Sequence, residues 1–360
     1  MFRVFLFPNF CDIVCCTCSG KIQMERKQKT LPDSKLIDRF NRNLNYLRIS
    51  ITDRCNLKCL YCVSQDLIPK LPSREILSYE EILRIVRVSA RLGISKVRVT
   101  GGEPLVRKGV FHFLEQLAGI EGLLDISLTT NGVLLKDNIH KIKSAGIKRI
   151  NISLDTLNRD KFKQITGYDF FHQVWEGIEL AQRMGFYPIK INVVPVKGIN
   201  DDELVDIARL SMDHPFHIRF IEYMPMGSNH MEIDRHLLAP EIKKHIEKLG
   251  ELFPVDRSAN DGPAERFKFE SGQGEIGFIR PISRHFCETC NRLRLTASGQ
   301  LRPCLMHDKQ DDLKSILRKG CTDKELAEVF LEAVRHKPLE HTLETDHNAG
   351  SAVQMCAIGG

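Results

Sequence analysis

Cys55, Cys59 and Cys62 place three thiols at C-x3-C-x2-C spacing, directly after the apolar run Tyr46-Leu47-Arg48-Ile49-Ser50-Ile51. Thiolates at close sequence spacing hold soft metals. A cubane iron–sulfur cluster has four irons, and three cysteines from one loop can hold three of them. The fourth iron is then open to a small molecule, which makes such a site chemical rather than structural. Other readings of the spacing exist. Positions i, i+4 and i+7 also mark a helix's buried face. Structural zinc takes four ligands, and no fourth Cys or His stands nearby. A disulfide framework wants an oxidising compartment and usually a smaller chain. The iron–sulfur reading is favoured by the loop's place at a strand end, by Tyr61 beside Cys62, and by Thr100-Gly101-Gly102-Glu103-Pro104 downstream.

A second triad reads Cys287-x2-Cys290-x13-Cys304. On spacing alone it suits a zinc site completed by His285 or His307, or a structural iron–sulfur cluster. Its neighbours add to this. Cys290-Asn291-Arg292-Leu293-Arg294-Leu295 alternates as a strand does, so Arg292 and Arg294 share a face. Two guanidiniums beside a metal site suit a phosphate or a polar heterocycle. The plainer reading is two solvated arginines on a strand edge. Cys11, Cys15, Cys16 and Cys18 are spaced erratically, and Cys321 and Cys356 stand alone. Two tight triads in a chain of 360 residues point to metal sites in a reducing compartment.

The elements that must carry these residues alternate from residue 46 onward. Strands are expected at 46–51, 96–100, 125–130, 148–154, 189–194 and 217–222, with helices near 78–92, 109–118, 134–145, 172–185 and 201–212. Ser78 before Tyr79-Glu80-Glu81 is a capping box, and Asn200-Asp201-Asp202-Glu203 looks like a start signal for the last helix. Gly93, Gly146 and Gly185 each follow a helical stretch. Such β-α repeats imply parallel strands with right-handed crossovers. The reading is an incomplete (β/α)6 barrel of the TIM type; an open doubly wound sheet competes. Polar or Gly-rich signals follow successive strands: the Cys loop, Gly101-Gly102-Glu103-Pro104, Thr129-Thr130-Asn131-Gly132, Ser153-Leu154-Asp155 and Glu222-Tyr223-Met224-Pro225. Barrels of this kind keep their chemistry at that end. Beyond residue 225 a helix over 236–249, strand-like runs at 265–270 and 275–280, and a helix near 323–335 make an α+β extension.

Composition narrows the function class. The chain is 42% hydrophobic, enough for a sizeable core, and its formal charge of +6 fits a polyanionic small molecule as readily as nucleic acid. Nucleic-acid binding would want exposed aromatics among basic residues, and that pattern is missing. No apolar run of about 18 residues suggests a membrane span. Residues 1–23 look unlike the rest and fit a poor signal peptide, a weak transit peptide or translated upstream sequence. Met24 opens a hydrophilic segment like an ordinary start, so a chain beginning there is expected to be fully active. The expected domains are 1–23 outside the fold, 24–225 the barrel and 226–360 the extension.

The three-Cys loop and the Gly-Gly-Glu-Pro turn together resemble the radical S-adenosylmethionine (SAM) superfamily. The second triad with Arg292 and Arg294, Arg48 before the first triad, Lys96-Val97-Arg98 and the closing Gly359-Gly360 narrow the resemblance to the GTP 3′,8-cyclases of molybdenum cofactor biosynthesis. That resemblance covers residues 40–360 and implies two [4Fe-4S] clusters, SAM as cofactor and GTP as substrate. By matching position it implies that Cys55, Cys59 and Cys62 hold the SAM-binding cluster and Cys287, Cys290 and Cys304 the second. Tyr61, Gly102, Ser153 and Met224 match SAM-contacting positions. Arg48, Arg98, Thr129, Lys190, Arg292 and Arg294 match GTP-contacting positions, with Arg48, Arg292 and Arg294 in catalysis; Lys96 and Arg219 are additions. Gly101 and Gly102 are expected to clear space for SAM's methionine. The resemblance further implies a low-potential electron donor and a next enzyme, cyclic pyranopterin monophosphate synthase. It implies cytoplasmic location, or the mitochondrial matrix if residues 1–23 are a transit peptide. A homodimer is an option; neither nucleic acid nor membrane is expected as a partner. Val63-Ser64 departs from the Met-Pro seen in relatives, and the tail reads Ala-Ile-Gly-Gly. A peptide-maturing radical SAM enzyme and a non-enzymatic zinc protein are the alternatives.

Overall fold

The computed structural model describes residues 35–62, 70–224, 226, 235–256, 262–341 and 355–358. Cys11 to Cys18, Val63-Ser64, Pro225 and Gly359-Gly360 lie outside the described residues. The alternation forms as expected: β1 Tyr46–Ser50, β2 Lys96–Thr100, β3 Asp125–Thr130, β4 Arg149–Ser153, β5 Ile189–Val193 and β6 Phe216–Ile221. The helices are α1 Tyr79–Arg91, α2 Val110–Ala118, α3 Leu135–Ser144, α4 Arg159–Thr166, α5 Phe171–Arg183 and α6 Leu204–Asp213. The strands are short and largely apolar on alternate positions, because one face meets the helices and the other the barrel interior. α1 shows the logic. Its buried face is Ile82, Leu83, Ile85, Val86 and Val88, and Ser78 with Glu81 closes a capping box at its start. Each such aliphatic side chain contributes about 1.5–3 kcal/mol of burial.

α4 was not anticipated. Asn158 caps it by accepting from the amides of Asp160 and Lys161, and Gly167 ends it at φ 79°. Gly93, Gly146 and Gly185 have positive φ just after α1, α3 and α5, as C′ glycines do. The start signal at Asn200 is corrected: its side chain does not cap α6. It is fully buried, accepts from Val196 N and donates to the carbonyls of Asp155 and Val194. A single 3₁₀ turn at Asp201–Glu203 precedes α6 instead.

The strand order is sequential from β1 to β6, all parallel. A doubly wound sheet reverses its order at a switch point, so the partial barrel is the architecture. The chain after β6 then joins both edges of the same sheet. α7 Ala239–Ile246 is followed by β7 Leu252–Pro254, β8 Glu265–Phe269 and β9 Glu275–Ile279, and β9 lies parallel to β6. β10 Arg292–Leu295 crosses to the far edge and lies parallel to β1; β11 Gln300–Arg302 and β12 Asp311–Asp312 follow antiparallel. Among the described residues the result is a twelve-stranded sheet. α8 Leu313–Arg318, α9 Asp323–Arg335 and the short α10 Met355–Ile358 complete it. No helix among the described residues is long and apolar enough to cross a membrane.

Glu222, just past β6, ties this late segment to the barrel. Its buried carboxylate accepts from Ala239 N at the start of α7, and from Ile282 N, Ser283 N and Ser283 Oγ ahead of the second triad. Removing an acceptor of this kind strands buried donors. Glu222→Ala is therefore expected to lower stability by about 3 kcal/mol or more, read as a drop in the urea midpoint. A change below about 0.5 kcal/mol would show that the tie is dispensable.

Candidate active site

The first triad follows β1 on a loop hung from the end of α4. Lys58 N and Leu60 N donate to the Thr166 and Ile165 carbonyls, both at 2.9 Å. These are carbonyls that a helix C-terminus leaves without intrahelical partners. The Gly-Gly-Glu-Pro turn docks on the loop's base: Gly102 N donates to Thr52 O at 2.7 Å and Glu103 N to Arg54 O at 2.8 Å. A Cβ on Gly102 would lie 2.3 Å from Arg54 O, and one on Gly101 2.6 Å from Thr52 O. These glycines are thus required for close packing against the Cys loop's own backbone, and both also line the first triad's cavity.

Glu103 extends the tie to β3. It is fully buried and accepts from Leu105 N, from Thr130 Oγ1 at 2.9 Å and from Asn131 N at 2.6 Å. Burial pushes its carboxyl up to about 7, against three donors that favour the carboxylate. Asn131 Nδ2 in turn reaches Cys55 Sγ at 3.6 Å and Asn56 Oδ1 at 2.8 Å. On the other side the Tyr61 hydroxyl donates to Asp155 at 2.6 Å, and Val194 N donates to the same carboxylate at 2.8 Å. Burial raises Asp155 to about 6 and raises the Cys59 thiol well above its ordinary value.

Two open cavities lie along the barrel mouth, of about 1130 and 1080 Å3. The first is lined by Cys55, Cys59 and Cys62 with Tyr61, Gly102, Thr129, Ser153 and Met224. The second is lined by Cys287, Cys290 and Cys304 with Tyr46 and five guanidiniums, those of Arg48, Arg98, Arg219, Arg292 and Arg294. Asn192, Ile221, Met224 and Met355 line both. Among the described residues no carboxylate lines the second cavity. Of the expected substrate contacts, Thr129 therefore faces the first triad's cavity. Lys190 lines neither.

Parallel register explains the cation cluster. Arg294, Arg48 and Arg98 are level on β10, β1 and β2; one layer down, Arg292, Tyr46 and Lys96 are level. Tyr46 sits among cations, with Lys96 Nζ 5.1 Å, Arg98 Cζ 5.7 Å and Arg292 Cζ 5.8 Å from its ring centre. Burial alone would raise the Tyr46 phenol; Arg98, Arg48, Arg292 and Lys96 bring it down to about 8. Burial and mutual repulsion lower Arg219 to about 9, Arg294 to about 10 and Lys190 to about 5; the cations acting on Lys190 are Arg219, Arg149, Arg98 and Lys96. Asp125 offsets only the lower edge, 3.1 Å from Lys96 and 2.9 Å from Arg149. The buried Tyr46 hydroxyl, Thr129 Oγ1 and Asn192 Oδ1 have no hydrogen-bond partner among the described residues. Such a lining suits a polyanion with polar edges.

The spacing of the sulfurs separates the metal groups these thiols could hold. A tetrahedral zinc with bonds of ~2.3 Å draws its sulfurs to within ~4 Å of one another. In neither triad do the three sulfurs lie within 4.8 Å of one another; the trio that meets this among the described residues is His285, Cys287 and His341. Only one cysteine of the second triad belongs to it, and His307 does not. The wider spread fits a group with several metal atoms. The second triad's surroundings also favour bound thiolate. Burial would raise Cys290, but Lys337 and Arg292 bring it down to about 7.

Several residues here carried no sequence signal. Lys337 ends the basic run Arg335-His336-Lys337 after an amphipathic helix, a place that reads as solvated, yet it is 2% exposed and donates to Cys290 Sγ at 3.6 Å. Arg42 donates to the carbonyls of Cys287, Pro338 and Leu339. Asn131 and Asp155 stood in noted turns but without roles. Tyr46 was within reach, since it lies two positions before Arg48 on the same strand face.

Comparison with known proteins places these features. Residues 49–211 match the Radical SAM superfamily, and residues 216–343 match Molybdenum Cofactor Synthesis C. A GTP 3′,8-cyclase of Thermodesulfovibrio yellowstonii is 51% identical over 310 residues, covering 85% of this chain and 96% of that protein. One from Moorella thermoacetica is 49% identical over 323 residues, covering 90% and 99%. Among solved structures, Streptococcus suis SuiB superposes with a TM-score of 0.57 at 15% identity, covering 83% of this chain and 68% of that one, a likeness of fold.

The cation cluster predicts a pH dependence. Lys190 is depressed to about 5 in the folded chain from an ordinary 10.5. Between those values the unfolded chain binds the extra proton, so stability rises with pH across that window. Lys190→Met should stabilise the ligand-free protein near pH 7 by at least about 1 kcal/mol and flatten that slope. Urea titrations at about pH 6 and about pH 9 check it; an unchanged slope would show that Lys190 is not the group responsible.

Proposed function

The chain belongs to the GTP 3′,8-cyclase family of the radical SAM superfamily, and on that premise we propose that its two cysteine triads and the guanidinium-lined cavity are one active site. The protein is a lyase that cyclises GTP to (8S)-3′,8-cyclo-7,8-dihydroguanosine 5′-triphosphate at the start of molybdenum cofactor biosynthesis, using SAM and [4Fe-4S] clusters. When bound, SAM and its cluster would supply a 5′-deoxyadenosyl radical able to take the 3′ hydrogen of GTP; joining C3′ to guanine C8 would then consume one further electron, from the low-potential donor, and one proton to give the 7,8-dihydro product.

In this reading Cys55, Cys59 and Cys62 hold the SAM-binding cluster, and Cys287, Cys290 and Cys304 the second. Tyr61, Gly102, Ser153 and Met224 surround SAM. Arg48, Arg98, Arg219, Arg292 and Arg294 take the triphosphate and orient the base, with Arg48, Arg292 and Arg294 nearest the chemistry. Thr129 meets the substrate from the SAM side. Lys96 acts from below, adding to the field that draws in the anion, and Lys190, neutral near pH 7 in the ligand-free chain, becomes a cationic contact once the anion is bound. The observation that carries the reading is the second cavity's lining: five guanidiniums and no carboxylate among the described residues. A triphosphate brings about four negative charges and relieves that repulsion. Met224 and Asn192, which line both cavities, stand where the two ligands would meet. Fixing ribose and base against the radical source is an orientation effect.

The reading also calls for a low-potential electron donor and for cyclic pyranopterin monophosphate synthase to receive the product. It places the protein in the cytoplasm, where thiols stay reduced.

Arg292→Ala and Arg294→Ala test it. Each should lower cyclised product by roughly a hundredfold, while SAM cleavage to 5′-deoxyadenosine persists. Product formation at the normal rate in both variants would contradict the substrate assignment.

A further inference from the structure

Lys337 lines neither cavity, yet it is among the most buried cations of the described residues, 2% exposed. Its ammonium makes three contacts: Cys290 Sγ at 3.6 Å, Arg292 O at 2.9 Å and Pro303 O at 2.5 Å. The two carbonyls belong to residues beside the second triad, one on β10 and one immediately before Cys304. Among the described residues no carboxylate pairs with it. A buried ammonium with only carbonyl partners is costly. Of its three contacts, the one that is not a neutral carbonyl is the sulfur of Cys290. The same segment wraps the triad further: Arg42 fixes the Pro338 and Leu339 carbonyls, and the His341 backbone bonds to Cys287.

We propose that Lys337 is a positioning residue of the second cluster site: its ammonium fixes the Cys290 sulfur through an N–H···S contact and, through that contact and its charge, raises the reduction potential of the cluster bound there. The physical basis is general. Hydrogen bonds to cluster sulfurs and nearby positive charge favour the more negative, reduced form. Lys337 differs from Arg292 and Arg294 in its direction, since its ammonium is committed to the sulfur and to backbone carbonyls and does not line the substrate cavity. The inference rests on the reading of Cys287, Cys290 and Cys304 as a cluster site.

The test uses the full chain with Cys55, Cys59 and Cys62 all changed to Ala, reconstituted anaerobically so that only the second triad can hold iron. Lys337→Met keeps the length and apolar stem but removes charge and donor; Lys337→Gln keeps a donor without the charge. Dye-mediated titration followed by electron paramagnetic resonance gives the midpoint potential. Lys337→Met should make reduction at least tenfold less favourable, about 59 mV lower for one electron, with Lys337→Gln between it and the parent. Loss of iron from the second triad alone in Lys337→Met, with the first cluster intact when its cysteines are restored, would support the positioning role equally. Full iron at an unchanged potential in both variants would overturn the proposal. So would loss of both clusters in both variants, which would make Lys337 a tie of the fold. No iron at the second triad in the parent would overturn the assignment of the triad itself, and this proposal with it.

Discussion

Like charges held in register are the constraint on which this structure depends. Arg294, Arg48 and Arg98 are level on three adjacent parallel strands, whose backbones run only ~4.8 Å apart. Two unit charges at ~5 Å repel by about 3 kcal/mol at an effective dielectric near 20. The sheet cannot slip to relieve them, because a one-residue shift would turn every apolar side chain of β1 and β2 away from the helices. Burial together with this repulsion lowers Arg219, Arg294 and Lys190, and the same crowd of cations acidifies Tyr46 against its burial. A site strained in this way is relieved by a polyanion, so binding and the stability of the barrel mouth are coupled.

Everything around that cluster serves to bring two cysteine loops to the same mouth. One loop hangs from α4 and is pinned by the Gly-Gly-Glu-Pro turn, through Glu103 and Asn131 to Cys55. The other is carried by the late segment, which returns to pair β10 with β1 and is anchored by Glu222, Arg42 and Lys337. Because β10 and β9 extend the two edges of the barrel sheet, the second triad is placed by the same hydrogen-bond ladder that places Arg48. The two cavities consequently share a wall at Asn192, Ile221, Met224 and Met355.

Much of this was legible in the sequence, for reasons that can be named. Period-two alternation put Arg292 and Arg294 on one face, and C′ glycines at Gly93, Gly146 and Gly185 marked helix ends correctly. These are local properties, set by strand pleat and by backbone conformation. What escaped was long-range. Asn200 reads locally as a helix cap, but tertiary contacts to Asp155 and Val194 claim its side chain. α4 has modest apolar content, so its caps at Asn158 and Gly167 were the only signal. Lys337 meets Cys290 from across 47 positions, a pairing no periodicity encodes. Gly102 was marked by its motif, yet the contact that requires glycine there, the Arg54 carbonyl, needed the fold.

The central claim is that both triads carry clusters and that GTP, held by the guanidiniums, is the hydrogen donor. Anaerobic reconstitution with iron counting, followed by SAM, reductant and GTP with detection of 5′-deoxyadenosine by mass spectrometry, tests it most directly. The account predicts about eight irons per chain, from two four-iron clusters, and deoxyadenosine that forms in step with GTP cyclisation. About four irons, or deoxyadenosine release indifferent to GTP, would contradict it.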